Sequence, residues 1–329
     1  MKKFIKRIII FLFFPFLLTN IFDYWLRSQN TIYKEKYNSL IAAKDSIQVI
    51  ILGNSHANYG VDPTQFKELY TYNLANVSQS IYFDKRLTIN AIDNGVSNLK
   101  FVFISIDYHS LFTSSQGYRN KWSYYGNGIK YKNEKYLLSN ISPFLWGYTP
   151  RVTFSLMKKN ILHRIKKKSK LLYIDIEDGV INKADTLKKG FVALTGTNYS
   201  IFNEELYQNR LKGFKEPNNS ERDSVLKDLG DFIIYLKNRE ITPILFTTPT
   251  YVEYNKYLDT MQLCRNNLDV EYLCKKYNIE SWDYMSDNRF TILDFYNQDH
   301  LNEQGSQKFS IILSNRLSLY VRTQNNTYK

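Results

Sequence analysis

Several short stretches of this chain are apolar at consecutive positions rather than at alternate ones. Residues 49–52, Val-Ile-Ile-Leu, form an unbroken β-branched and aliphatic run, the pattern of a strand buried on both faces of a parallel sheet. Residues 101–104 and 244–246 repeat it within the expected strands 101–107 and 242–248, and residues 72–74 and 279–283 read as brief strands of mixed polarity. Polar segments with helical spacing alternate with these runs. Asp62-Pro63 reads as a cap and first helical position, opening a short helix to Leu69. Further helices are expected over residues 83–94, 219–239, 257–277 and 302–320. Five strand–helix units with buried strands predict an α/β fold, a doubly wound sheet of about five parallel strands between helical layers.

The pattern changes at two places. Lys2, Lys3, Lys6 and Arg7 precede a nearly unbroken apolar run over residues 8–22, which Asp23 ends and Tyr24-Trp25 follows. A basic flank, an apolar run and an interfacial aromatic pair predict an uncleaved signal anchor over residues 1–28, since no small-x-small cleavage site follows. Residues 29–45 read as a polar stalk. From about 110 to 220 the alternation lapses into a stretch rich in Tyr, Asn, Ser and Lys, read as a partly helical insertion. Within it, residues 151–170 carry no acid and many lysines, which suits an anionic surface or simply a solvated basic face. The globular part is placed at 46–323, with a tail at 324–329.

The formal net charge of +13 favours an anionic neighbour, but no zinc-finger spacing or Walker loop accompanies it, so nucleic acid is discounted as a partner and a membrane is favoured. Cys264 and Cys274 are the two cysteines. On one helix they would stand about 15 Å apart, too far to bridge, so two unpaired, buried thiols are expected. No metal-ligand spacing occurs, and neither a metal nor another cofactor is expected.

Candidate chemistry lies where the first strand stops. Gly53-Asn54-Ser55-His56 follows residue 52 at the carboxyl end of the sheet, the edge where open α/β folds bind ligands. Ser55 there is either an exposed nucleophile or a helix cap. His300, in the loop before the last helix, belongs to the same edge. A neutral imidazole opposite a serine can take its proton and return it to a leaving group.

These two blocks, Gly53-Asn54-Ser55-His56 and His300-Leu-Asn-x-x-Gly305, resemble those of the SGNH, or GDSL-like, hydrolase superfamily. The resemblance covers roughly residues 46–323, apart from the insertion. It implies a flavodoxin-like three-layer sandwich, with Ser55 as nucleophile and His300 as general base. The likeness is nearer to membrane-anchored members that work beside polysaccharide or teichoic-acid acylation machinery. It therefore implies a single-pass protein of the bacterial inner membrane, its main domain outside the cytoplasm. There it would act as an acyl-ester hydrolase or O-acyltransferase on an envelope glycan, beside a membrane acyltransferase or export partner.

Three departures bear on the site. The family's acid, three residues before the histidine, is Asn297 here, which leaves Asp299 or Asp294 as substitutes. The second block's glycine is missing from 74–78, so oxyanion donors are sought at Gly53, the Ser55 N–H, Asn76 and Ser78. The Gly-x-Asn-Asp block is missing after residue 107. Asn54, His56, Asp107 and Thr248 are candidates to line the pocket, with His56 and His109 also explained by local structural bonds. The departures support a second expectation, a weak or inactive scaffold or glycan-binding partner. A third, a lipid esterase, requires a wide apolar groove beside Ser55.

Overall fold

The computed structural model describes residues 2–28, 30–111, 173–174, 187–214 and 219–327, with single positions 124, 158 and 162. The chain divides into two compact units, residues 1–37 with 116–186, and residues 38–115 with 187–329. In the first, helix α1 (Lys2–Ser28) has a 24-residue segment, Lys2–Trp25, long and apolar enough to cross a membrane. At 1.5 Å per residue it reaches about 36 Å, against a hydrocarbon core of about 30 Å. Asn30–Thr31 pairs in parallel with Tyr173–Ile174, and the expected stalk is helical over α2 (Ile32–Ala42).

The second unit is an α/β domain. Its sheet contains β1 (Val49–Leu52), β2 (Thr71–Asn73), β3 (Phe101–Ser105), β4 (Thr242–Phe246) and β5 (Glu280–Trp282), all parallel, in the order β2-β1-β3-β4-β5. Chain progression reverses at β1, so the crevice between the carboxyl ends of β1 and β3 is the topological switch point.

The consecutive apolar residues are explained by helices on both sides. One layer comprises α4 (Ile81–Asp93), α6 (Asn219–Lys237) and α8 (Thr260–Tyr277). On the other side α9 (Glu303–Thr327) packs against the short α3 (Ser55–Gly60). Val49, Ile51, Phe103, Ile244 and Phe246 join Phe309, Leu313 and Leu317 of α9 in one fully buried cluster. Their alternates Ile50, Leu52, Val102, Ile104 and Leu245 are equally buried. A long-range bond ties α9 to the start of the domain, the Asp62 N–H donating to Ser310 Oγ at 2.7 Å.

Several boundaries differ from expectation. The helix expected from Pro63 to Leu69 is a single 3-10 turn, Pro63–Gln65, because Phe66 turns into the core with extended backbone. α9 continues to Thr327, through part of the expected tail. Val321 packs on the core and Arg322 pairs with Glu68, so the helix has reason to continue past Tyr320. α8 is unbroken and carries both cysteines, unpaired, but Cys264 is exposed rather than buried. Of the insertion, residues 187–214 contain a 3-10 turn, Tyr199–Ile201, and α5 (Glu204–Leu211). The basic stretch 151–170 lies outside the described residues except for exposed positions 158 and 162.

Candidate active site

Gly53 permits the turn that ends β1. Its φ is +130°, and a Cβ there would stand 2.5 Å from the Ser105 Cβ, so a side chain is excluded by both conformation and space. The Gly53 N–H donates to the buried Asp84 Oδ1 at 3.1 Å. Asn54 then caps α3, its Oδ1 accepting from the His56 N–H at 2.9 Å. With Asn54 as the cap, Ser55 becomes the first helical residue. Its hydroxyl is left to other work, which decides against the capping alternative.

The loop after β5 delivers the partner. Phe295 and Leu301 form an antiparallel bridge, and Asn297 organises the turn between them. Asn297 Oδ1 accepts from the backbone N–H groups of His300 (2.7 Å) and Asp299 (3.2 Å), and lies 3.0 Å from His300 Nδ1. Two backbone donors identify that atom as the amide oxygen. Nδ1 therefore carries the ring proton, and Nε2 presents a lone pair. It presents it to Ser55 Oγ, 2.8 Å away and 245 residues distant in sequence. Gly305 closes the loop onto α9. A Cβ there would overlap the Asp294 carbonyl at 2.0 Å.

A carboxylate also stands beside the ring. Asp299 Oδ1 lies 3.1 Å from His300 Nδ1, but the N–H is directed at Asn297 and Oδ1 gains no hydrogen bond from it. Asp299 Oδ2 accepts from Arg210 Nε of α5 at 2.9 Å and lies 3.7 Å from His56 Nε2. The other side of the His56 ring, Nδ1, is 3.3 Å from Asp107 Oδ1. Asp107 follows β3 and accepts from Ser105 Oγ (2.8 Å) and Thr248 Oγ1 (3.3 Å). Asp107, His56, Asp299 and Arg210 thus alternate in charge along one line, the first three buried and Arg210 reaching in from an exposed position.

The protonation states follow from that line. Burial alone would depress His56, but Asp107 and then Asp299 lift it to about 9. Burial would raise Asp107, yet His56 brings it to about 2. Asp299 is held well below the usual carboxylate range because His300 and His56 outweigh the effect of burial. His300 is lowered, chiefly by burial, with His56 and Arg210 opposing the lift from Asp299. His109 falls to about 4 through burial and the neighbouring His56. Its ring stacks on Phe214 at 4.6 Å between centroids, and its Nε2 meets Asn54 Nδ2 at 3.2 Å. At neutral pH the His300 ring is therefore uncharged, the state in which an imidazole can accept a proton.

No family model matches the chain, and no curated protein matches it. Among solved structures, it is similar to a crystal structure of a “putative acylhydrolase” from Bacteroides fragilis, with a TM-score of 0.40 and 10% identity over 88% of this chain and 96% of that one.

Ser55, His300, Asn297, Asp299, Asn54, His56, Asp107 and Thr248 therefore converge. The oxyanion candidates fare differently. The Gly53 N–H is taken by Asp84, and the Asn76 N–H donates to the Gly53 carbonyl at 3.2 Å. The Asn76 amide nitrogen serves Gln79 and Leu74. Ser78, at φ +55°, is engaged in contacts of its own. The Ser55 N–H has no acceptor among the described residues. Asp294 is remote in function, capping the turn Ile292–Asp294 and pairing with Lys308. His56 Nε2, Asp299 and His300 Nδ1 come within 4.8 Å of one another. However, Arg210 already supplies a cation to this carboxylate and Nδ1 carries a proton, so the arrangement is that of an ion-pair line.

Two participants escaped the sequence reading. Arg210 sits in a polar stretch without periodicity, and its partner is 89 residues away. Asp84 lies on a helix whose neighbours Phe83 and Leu87 are buried with it; an acid on an apolar face was the available signal.

Proposed function

We propose that this domain performs acyl-ester chemistry of the SGNH type through Ser55 and His300. The reading rests on one observation: the His300 lone pair at Nε2 faces Ser55 Oγ at 2.8 Å while Asn297 fixes the proton on Nδ1. Ser55 Oγ attacks an ester carbonyl as its proton passes to Nε2. The Ser55 N–H is the available donor for the oxyanion. His300 then gives the proton to the departing alcohol, leaving an acyl-serine. Water or a sugar hydroxyl, activated by the same nitrogen, takes the acyl group and restores the serine.

Asn297 can orient the imidazolium but not balance its charge; Asp299, ionised and 3.1 Å from Nδ1, supplies the charge. The substrate class proposed is an acylated envelope glycan, and the apolar helix Lys2–Trp25 supports anchoring in the inner membrane with the domain outside. A membrane acyltransferase or export protein is the proposed neighbour.

The test is fluorophosphonate labelling and p-nitrophenyl acetate turnover by the full chain in detergent. Ser55→Ala and His300→Ala should each abolish both. Labelling of the wild type that persists in Ser55→Ala would refute the assignment. The inactive-scaffold reading has its own support in the occupied N–H groups of Gly53 and Asn76. A wild type with neither labelling nor turnover would favour it.

A further inference from the structure

His56 makes no well-directed hydrogen bond at either ring nitrogen although it is 5% exposed. A buried ring with two idle nitrogens is costly unless charge holds it in place. Its surroundings supply that charge. Asp107 and His109 face it from the loop after β3, Asp299 and His300 from the loop before α9. Arg210 reaches the same carboxylate from α5, Tyr254 of α7 (Val252–Asn255) is raised by burial and then by Asp299, and Asp84 of α4 is raised slightly by Asp107.

Two buried carboxylates stand on either side of His56, and Arg210 provides one positive charge. With His56 neutral, two buried carboxylates would have only the partly exposed Arg210 to balance them, an unfavourable state among buried side chains. With His56 charged, Asp107, His56, Asp299 and Arg210 sum to zero. A small cavity of about 10 Å3, bordered by His56, Asp107, His109, Thr248 and Tyr254, has room for about one water, too little to hydrate an unbalanced carboxylate.

We propose that His56 is a positioning residue, a buried cation that clamps Asp299 between itself and Arg210 so that the carboxylate stays against Nδ1 of His300. This rests on the reading of Ser55 and His300 as an acyl-transfer pair. The acid function lost at Asn297 is thereby carried by the residue adjacent to the histidine, which backbone geometry alone would leave free to turn to solvent. The clamp has a second effect. Its positive charge, 5.0 Å from the His300 ring between centroids, opposes protonation of the base.

The experiment follows fluorophosphonate labelling against pH for the full chain in detergent, comparing wild type, His56→Gln and His56→Ala. Gln removes the charge at similar size. Both variants should label at least tenfold more slowly at the plateau. Wild-type behaviour in both variants would overturn the proposal. Histidine 15N NMR on the full-length Ser55→Ala protein gives a readout that needs neither reactivity nor a folded His56 variant. His56 should remain doubly protonated at pH 8, and a neutral ring at pH 7 would overturn the clamp. If the wild type never labels, the acyl-transfer reading fails, while the NMR result still decides the state of His56.

Discussion

Asn297 Oδ1 accepts both the His300 backbone N–H, at 2.7 Å, and the His300 ring proton, at 3.0 Å. Every bond it makes in this loop is one that a carboxylate oxygen can also make. Asn297→Asp should therefore keep the turn and place a charge in line with Nδ1. In a serine protease the reverse change costs about four orders of magnitude. Asp299 already supplies part of that charge here, so the expected gain is about tenfold in serine-dependent turnover. Steady-state kinetics with p-nitrophenyl acetate measure it, and a loss of turnover would show that Asp299 is already sufficient and that a second carboxylate disturbs it.

Gly53→Ala should destabilise the α/β domain. The new methyl would meet Ser105 Cβ at 2.5 Å, at a φ of +130°. Strain and overpacking together should cost upwards of about 2 kcal/mol. Thermal unfolding of the detergent-solubilised protein reads the shift, and an unchanged midpoint would contradict the geometry.

Asp84 gives a stability–pH relation. Burial, partly offset by bonds from Gln79 and Gly53, raises it to about 7. The folded state thus binds the proton more tightly than the unfolded chain does. Its contribution is fully present below about pH 4 and is lost as pH rises to about 7. Both bonds reach Oδ1, which asparagine retains. Asp84→Asn should abolish this fall and be the more stable protein at pH 8, by roughly 1.4 kcal/mol for each unit of the shift that survives relaxation. Denaturation midpoints at pH 5 and pH 8 compare the two; parallel losses in both proteins would argue against a raised Asp84.

The two thiols should behave as independent groups. Cys264 is exposed, whereas Cys274 is half-buried and its pKa is raised by burial and by Glu280. Maleimide should modify Cys264 first in the native state, with Cys274 slower by at least tenfold. Mass spectrometry after brief labelling distinguishes them. An intramolecular disulfide would require α8 to break.

The sheet was legible because its central strands are apolar on both faces, and few other structures hide every residue of a run such as 49–52. Helix ends were less so. Nothing local told that Phe66 would turn inward after one 3-10 turn, or that Val321 would find a core to cover. Ser55 and His300 could be placed because each follows a buried strand at the same edge. Asp299 was visible as a nearby carboxylate, but its orientation depends on Arg210 and His56. The expected within-turn bond of His56 is present, made by its backbone. Its backbone N–H satisfies Asn54, which frees the ring for Asp107 and Asp299.

The docking of α9 against α3, with Ser310 holding the Asp62 N–H, joins the end of the domain to its beginning. Ser55 and the ring that faces it are 245 residues apart in sequence, so neither half of the domain holds the pair by itself. A chain cut ahead of residue 300 keeps Ser55 but loses its hydrogen-bond partner.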